Sequence, residues 1–248
     1  METWSDQGIV LGARAHGEGG SVVTVLTEEH GLYSGYLPGG MSKSRQGLRE
    51  IGNLVKVEWQ ARLQEYLGRF TLDLEAAHSA PLLSDPKRLQ AMKSACALCK
   101  TSLPEREANP AQFHGLLALL NSLPNDEWGQ VYVAWEIGFL NEQGCPLDLT
   151  RCASTGQMTD LVYVSPKSGR AVSREAAAPY KDKLLKLPDF LRQPECRDGL
   201  KSDDEQLQDG LKLTGYFIEN RVYGQTTVPV PDDRLRLAEM IIPIGGLA

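Results

Sequence analysis

The chain has few of the residues that most often carry chemistry. Only four histidines occur in its 248 residues, His16, His30, His78 and His114, and no Ser/His/Asp or Cys/His arrangement stands out around them. Triads can be scattered along a sequence, so this scarcity counts against a hydrolytic enzyme without excluding one. The glycine cluster Gly12, Gly17, Gly19 and Gly20 lacks the Lys-Ser/Thr pair of a phosphate loop, and a strand-like segment follows it, so a hairpin turn is expected there. Apolar runs such as Leu116 to Leu120 fall far short of the roughly 18 residues that span a bilayer. The start, Met1-Glu2-Thr3-Trp4-Ser5-Asp6, has neither the basic opening nor the apolar stretch of a secretory signal, and a cytoplasmic location is expected. Cysteines number five, which in that compartment means free thiols or a metal site.

What is present is ordinary globular composition, 42% hydrophobic and 23% charged. Residues 1 to about 79 read as five short strands: Gly8 to Leu11, Ser21 to Thr27, Leu32 to Leu37, Leu54 to Leu63, and a run through Phe70, Leu72 and Leu74. Glycine turns separate them, and the longer connection Gly39 to Asn53 lies between the third and fourth. This pattern predicts a small closed barrel.

After Ala80-Pro81 the period changes to three and four. Asp85-Pro86 and Asn109-Pro110 are helix starts, with the acidic or amide residue as cap and proline at the first helical position. A third helix fits Asp126 to Glu142. Asp160 to Pro166 and Arg170 to Ser173 then form a candidate hairpin within residues 149–174. Short proline-broken helices, a polar loop from Pro194 to Glu205, and a last long helix through Leu207, Leu211, Phe217 and Val222 complete the reading. The expected fold is α+β, a barrel domain at 1–79 and a mainly helical domain at 80–248.

Charge is the informative signal. The net charge of −6 repels phosphate on average, so any nucleic-acid contact must come from a local basic face. Lys43, Arg45, Arg49, Lys56 and Arg62 face only Glu50 and Glu58 along the chain, and Trp59, Tyr66 and Arg69 lie close by. Cations that follow phosphates, with an aromatic for the bases, are what single-strand binding needs. The same residues also suit a solvated barrel face with a core tryptophan. A second cluster, Lys167, Arg170, Arg174, Lys181, Lys183 and Lys186, has only Glu175 and Asp182 among it and suits nucleic acid, an acidic peptide or plain solvent. Cys96-Ala97-Leu98-Cys99 lies inside an apolar helical pattern, where buried thiols are expected rather than a zinc site. Cys145 and Cys152 are the other close pair.

With these segments in view, the chain resembles the RecO family of bacterial recombination mediators. The resemblance is carried by His16-Gly17-Glu18, Thr27-Glu28-Glu29-His30-Gly31, Gly40-Met41-Ser42-Lys43-Ser44-Arg45, Leu67-Gly68-Arg69-Phe70 and Leu211-Lys212-Leu213-Thr214-Gly215-Tyr216. It implies an N-terminal OB-fold barrel followed by a helical domain. It further implies binding of single- and double-stranded DNA and annealing of complementary strands. With the partner RecR, such a protein helps load RecA onto DNA coated by single-strand-binding protein (SSB), whose acidic C-terminal tail it also binds.

Some members carry a four-cysteine zinc knuckle near residues 152 and 172. Here Cys152-Ala153-Ser154-Thr155 keeps one cysteine and Arg170-Ala171-Val172-Ser173 none, so a metal-free hairpin and no cofactor are expected. No covalent catalyst is implied, and the protein is not expected to be an enzyme. Lys43, Arg45 and Arg49 would reach phosphates, with Lys56, Arg62 and Arg69 nearby and Trp59 as a stacking platform. Two other readings stand beside this one: a generic RNA-binding OB protein, and an adaptor that touches only protein.

Overall fold

Fifteen consecutive residues, Glu2–His16, form β1, the strand on which the N-terminal sheet turns. Its first half pairs antiparallel with β4 (Leu54–Ala61) and its second half with β2 (Gly20–Thr27), the register slipping between Val10 and Gly12. An irregularity of that kind bends a strand and lets it serve two neighbours. With β3 (Gly31–Leu37) and β5 (Arg69–Ala76) the order is β1-β2-β3-β5-β4, and the β1–β4 pairing closes it into a barrel. The computed structural model describes residues 1–192 and 203–243.

The strands lie where alternation places them, except that β1 runs from Glu2 to His16 rather than from Gly8 to Leu11, and β4 stops at Ala61 rather than Leu63. The polar start conceals a strand because Glu2, Ser5 and Gln7 point to solvent while Trp4 points inward. Val10, Val23, Val25, Tyr33, Leu37, Val55, Val57, Trp59, Ala61, Phe70 and Leu72 fill the barrel, with Trp4 and Leu48 packed against them. Gly35 is required at this core, since a Cβ there would lie 2.6 Å from the Phe70 ring.

Two helices follow, α1 (Pro86–Ser102) and α2 (Pro110–Ser122). Both start as the sequence indicates: the Asp85 side chain accepts from the Lys87 and Arg88 amides, and Asn109 from that of Gln112. Both pack on β2, and α1 also on β1. This explains why Ile9, Leu11, Val22 and Leu26, which alternate with the barrel-filling set, are also buried. Packing therefore groups the chain differently from its periodicity. Met1–Asn125 with Pro231–Arg234 is one compact unit, and Asp126–Val230 with Leu235–Ala248 is the other, whereas the change of period falls at residue 80.

The second unit contains α3 (Trp128–Glu142) and a three-stranded sheet in the order β7-β6-β8. Its strands are β6 (Leu161–Val164), β7 (Ala171–Ser173) and β8 (Leu185–Lys186), the last not anticipated from sequence. A single helical turn, α4 (Arg174–Ala177), and a 3-10 helix, Ala178–Lys183, lie between β7 and β8. Helix α5 (Asp203–Phe217) runs on as a π-helical segment, Ile218–Tyr223, and α6 (Asp232–Ile241) follows. The polar loop expected from Pro194 to Glu205 is corrected at its end, where Asp203 already begins α5. Its stretch at 194–202 lies outside the described residues. The fully buried Glu136 accepts a hydrogen bond from Tyr132 at 2.9 Å and another from the hydroxyl of Thr214, tying α3 to α5 through a satisfied carboxylate.

No helix among the described residues is long and apolar enough to cross a membrane.

Candidate nucleic-acid interface on the barrel

The β3–β4 connection is built, not loose. Residues Lys43–Leu48 form a 3-10 helix. The Met41 amide donates to the Gly19 carbonyl at 3.1 Å, which ties the connection to the β1–β2 hairpin turn. At the far end Asn53 donates to the Gly47 carbonyl at 2.9 Å and accepts from the Ser79 amide at 3.1 Å. Glu50 is held by Gln46 and by the Ser79 hydroxyl, both at 2.9 Å. The one carboxylate of the segment is thereby engaged with neutral partners rather than with its cations.

Those cations have no acidic partners among the described residues. Lys43 and Arg45 are exposed, and Arg49 is half-buried. Among the described residues none of the three forms an ion pair. Arg45 donates to the Pro38 carbonyl at 2.6 Å, and Arg49 Nη1 reaches only the Met41 sulfur at 3.2 Å, a weak acceptor. Arg49 Nε is buried without a hydrogen-bond partner among the described residues. A guanidinium left so poorly satisfied is costly unless a ligand completes it.

Arg49 lines a groove of about 430 Å³ with Arg14, Met41, Gln46 and Glu50. Arg14 is the residue that sequence reasoning missed. It is a lone cation on β1, 35 positions from Arg49, and only the docking of the connection onto the β1–β2 hairpin brings the two to one groove. The nearby glycine turn is the sole signal in its sequence neighbourhood.

The remaining predicted residues are not gathered at this groove. Lys56 lies on the outer face of β4 in a row with Gln7 and Asp73, and its Nζ is 3.9 Å from Glu58. Arg69 lines a different cleft of about 540 Å³ on the β1–β4–β5 face, with Thr3, Ser5, Glu58, Gln60 and Thr71. Arg62 is exposed just beyond β4.

Trp59 requires a correction. It is 1% exposed, stacks on Trp4 with ring centroids 5.7 Å apart, and donates its Nε1 proton to the Leu67 carbonyl at 3.1 Å. Alternation along β4 puts Val55, Val57, Trp59 and Ala61 on the inner face, so Trp59 is a core residue and cannot stack on bases.

In the second basic cluster much of the charge is internally balanced. Arg170 lies 3.4 Å from Asp148, Arg174 3.1 Å from Asp160, and Lys186, on β8, 3.7 Å from Asp209 of α5. The Asp148 carboxyl is held below its usual range, first by the hydroxyl and amide of Thr150 and then by Arg170. Lys167, Lys181 and Lys183 are exposed, and Tyr180, beside the last two, is 61% exposed. Of the acidic stretch that follows, Asp203, Asp204 and Glu205 occupy the first turn of α5, where the helix dipole favours them. Glu195 and Asp198 lie outside the described residues.

Among the described residues, the three buried cysteines are of two kinds. Cys96 and Cys99 lie fully buried in α1, where burial pushes both thiols up, Cys99 to about 12 against the opposing hydrogen bond from Gln112. Cys152 is also buried, and burial opposes its ionisation, but hydrogen bonds from Ser173 and Thr155 outweigh it and bring the thiol down to about 6. The Ser173 amide lies 3.3 Å from its sulfur. Hydroxyl and amide donors thus surround Cys152 at the β6–β7 hairpin. No group of three or more candidate metal ligands occurs among the described residues.

The protein is therefore of the α+β class, with a closed five-stranded barrel that carries an anchored, cation-bearing connection between its third and fourth strands. Comparison with known families is specific. The family model described as Recombination protein O N terminal matches residues 1–76, and that described as Recombination protein O C terminal matches residues 83–227. The chain is 45% identical over 239 residues to the DNA repair protein RecO of Rhodospirillum centenum, covering 95% of this chain and 93% of that protein. It is 42% identical over 247 residues to that of Rhodospirillum rubrum, covering 97% of each, and 42% identical over 239 residues to that of Caulobacter vibrioides, covering 96% and 97%. The chain belongs to the RecO family of DNA repair proteins.

Proposed function

We propose that the protein is a DNA-binding recombination mediator. Its barrel is read as an OB-fold that holds the DNA backbone along the β3–β4 connection. It anneals complementary strands and, with RecR, helps load RecA onto SSB-coated DNA in the cytoplasm, binding the SSB tail as it does so. The observation that carries this reading is the set Lys43, Arg45 and Arg49 on an anchored connection, with no ion pair among the described residues and with Arg14 on the same groove as Arg49. An acidic protein concentrates its unpaired cations in this way where it must meet an anion. Annealing and protein exchange need no covalent catalyst and no cofactor.

The test is annealing of SSB-coated complementary oligonucleotides, with single-stranded RNA of the same sequence as competitor. Acceleration of annealing that DNA competes away better than RNA is expected. Absence of acceleration with intact salt-dependent binding would point to a generic nucleic-acid binder. Absence of any nucleic-acid binding would point to an adaptor.

A further inference from the structure

The β4–β5 loop, Arg62 to Gly68, joins an exposed apolar surface to a fixed backbone. Leu63, Tyr66 and Leu67 are 44%, 52% and 39% exposed, and Met1 is 89% exposed. Met1 lies beside the loop, because Glu2 pairs with Ala61 and the Gln60 amide donates to the Met1 sulfur. The guanidinium of Arg106 donates to the carbonyls of Gln64, Glu65 and Tyr66, the last two at 3.3 and 3.2 Å. The Tyr66 amide turns back to the Leu63 carbonyl at 3.2 Å. Trp59 Nε1 donates to the carbonyl of Leu67, and the Tyr36 amide to that of Gly68 at 3.0 Å. Every carbonyl from Leu63 to Gly68 is thus engaged.

The anchors are themselves anchored. Arg106 has a left-handed φ of 63°, donates its amide to Leu32 on β3 at 2.9 Å, and lies over the Tyr33 ring at 5.1 Å. Gly68 closes the loop at φ 66°, where a Cβ would lie 2.1 Å from the Trp59 indole nitrogen. With its carbonyls taken, the loop has no acceptor for an extended peptide, which adds to a backbone through main-chain bonds. What it presents is side chains, held outward and ordered before a partner arrives.

Charge decides the partner. Arg62 and Arg69 stand at the two ends of the loop, Glu65 lies between them, and Glu2 sits opposite Ala61, next to Arg62. All four are exposed, and none forms an ion pair among the described residues. Two cations and two carboxylates around an apolar centre complement a second copy of themselves. We propose that this patch is the interface of a two-fold homodimer, in which the loop of one copy packs on that of the other and each cation meets a carboxylate. An isologous contact needs such self-complementarity, because the same residues serve on both sides. The net charge of −6 drives two copies apart, but a patch with equal numbers of both signs adds nothing to that repulsion. A polyanion, by contrast, would find the two arginines offset by the two carboxylates. The dimer carries two β3–β4 connections and so, on the DNA-binding reading above, holds two strands at once. The dimer itself does not rest on that reading.

Sedimentation velocity of the full chain, without DNA and over a rising concentration series, tests this. Wild type should pass from the 27.3 kDa monomer to a species of twice that mass and stop there. Arg62→Glu with Arg69→Glu, and separately Glu2→Lys with Glu65→Lys, should each remain monomeric, since like charges then face each other across the axis. An equimolar mixture of these two variants should dimerise again, because every charge then meets its opposite. Should a reversal alter the circular dichroism, Leu63→Ser with Leu67→Ser gives the same reading and must also remain monomeric. A wild type monomeric at every concentration, assembly past two copies, dimers that survive the substitutions, or a mixture that fails to reassociate overturns the inference. A monomeric wild type that still anneals SSB-coated strands would sink the dimer alone and leave the DNA-binding reading intact.

Discussion

The indole nitrogen of Trp59 donates to the carbonyl of Leu67, so the barrel core and the exposed β4–β5 loop are joined by one hydrogen bond. The aromatic that the basic neighbourhood marks as a base-stacking candidate is instead the internal brace of a neighbouring loop.

Replacing Trp59 by alanine should therefore cost about 3–5 kcal/mol, as large-to-small core changes do, with the midpoint of urea unfolding lowered accordingly. A variant as stable as wild type would show that Trp59 is not in the core.

The connection and its groove make a quantitative claim about salt. Changing Lys43, Arg45 and Arg49 together to alanine should flatten the slope of log affinity against log salt for single-stranded DNA by about 2, at about 0.7 per phosphate contact. Adding Arg14→Ala should flatten it by about 0.7 more. Loss of affinity should be similar for every sequence, since phosphate contacts carry no base information. An unchanged slope would move the DNA site off this connection.

Cys152 predicts a pH dependence. Its thiol is brought from an ordinary 9.0 to about 6 in the folded protein, so the unfolded chain holds a proton there that the native state has released. The resulting stabilisation is fully present above pH 9 and is lost as pH falls through 6. Cys99 acts in the opposite sense and in a different window, its contribution being lost as pH rises from 9 through 12. Between pH 6 and 9, wild type should gain stability relative to Cys152→Ala in chemical denaturation. Parallel curves for the two proteins across that range would show that the thiolate is not stabilised by folding.

Elemental analysis should find no stoichiometric zinc. Cys152 stands at the hairpin with hydroxyl-bearing Thr155 and Ser173 around it rather than further thiols. About one zinc per chain, retained after chelation, would be incompatible with this.

For the SSB tail, the ion pairs rank the cations of the second cluster. Lys181 and Lys183, beside the exposed Tyr180, offer charge and apolar surface together, whereas Arg170 and Arg174 already face Asp148 and Asp160. Alanine at Lys181 and Lys183 should weaken binding of full-length SSB more than alanine at Arg170 and Arg174, and SSB lacking its last residues should be insensitive to either change. The reverse order would place the tail elsewhere.

What the sequence by itself determined is what depends on near neighbours. Asp85-Pro86 and Asn109-Pro110 start helices because cap and ring act within one turn. The alternation through Val55, Val57, Trp59 and Ala61 marks β4 and one shared face, since successive strand residues point to opposite sides. The unpaired state of Lys43, Arg45 and Arg49 was partly legible, because few acids lie near them in the chain. Tertiary structure alone decided which face closed inward, and thereby withdrew Trp59 from solvent. It also brought Arg14 to the groove of Arg49, and set Lys186 against Asp209 and Arg170 against Asp148. It hid Arg106, 40 positions from Tyr66, as the residue that fixes the β4–β5 loop. Contacts between residues so far apart depend on how strands and loops meet in space, and no local period or propensity encodes that meeting.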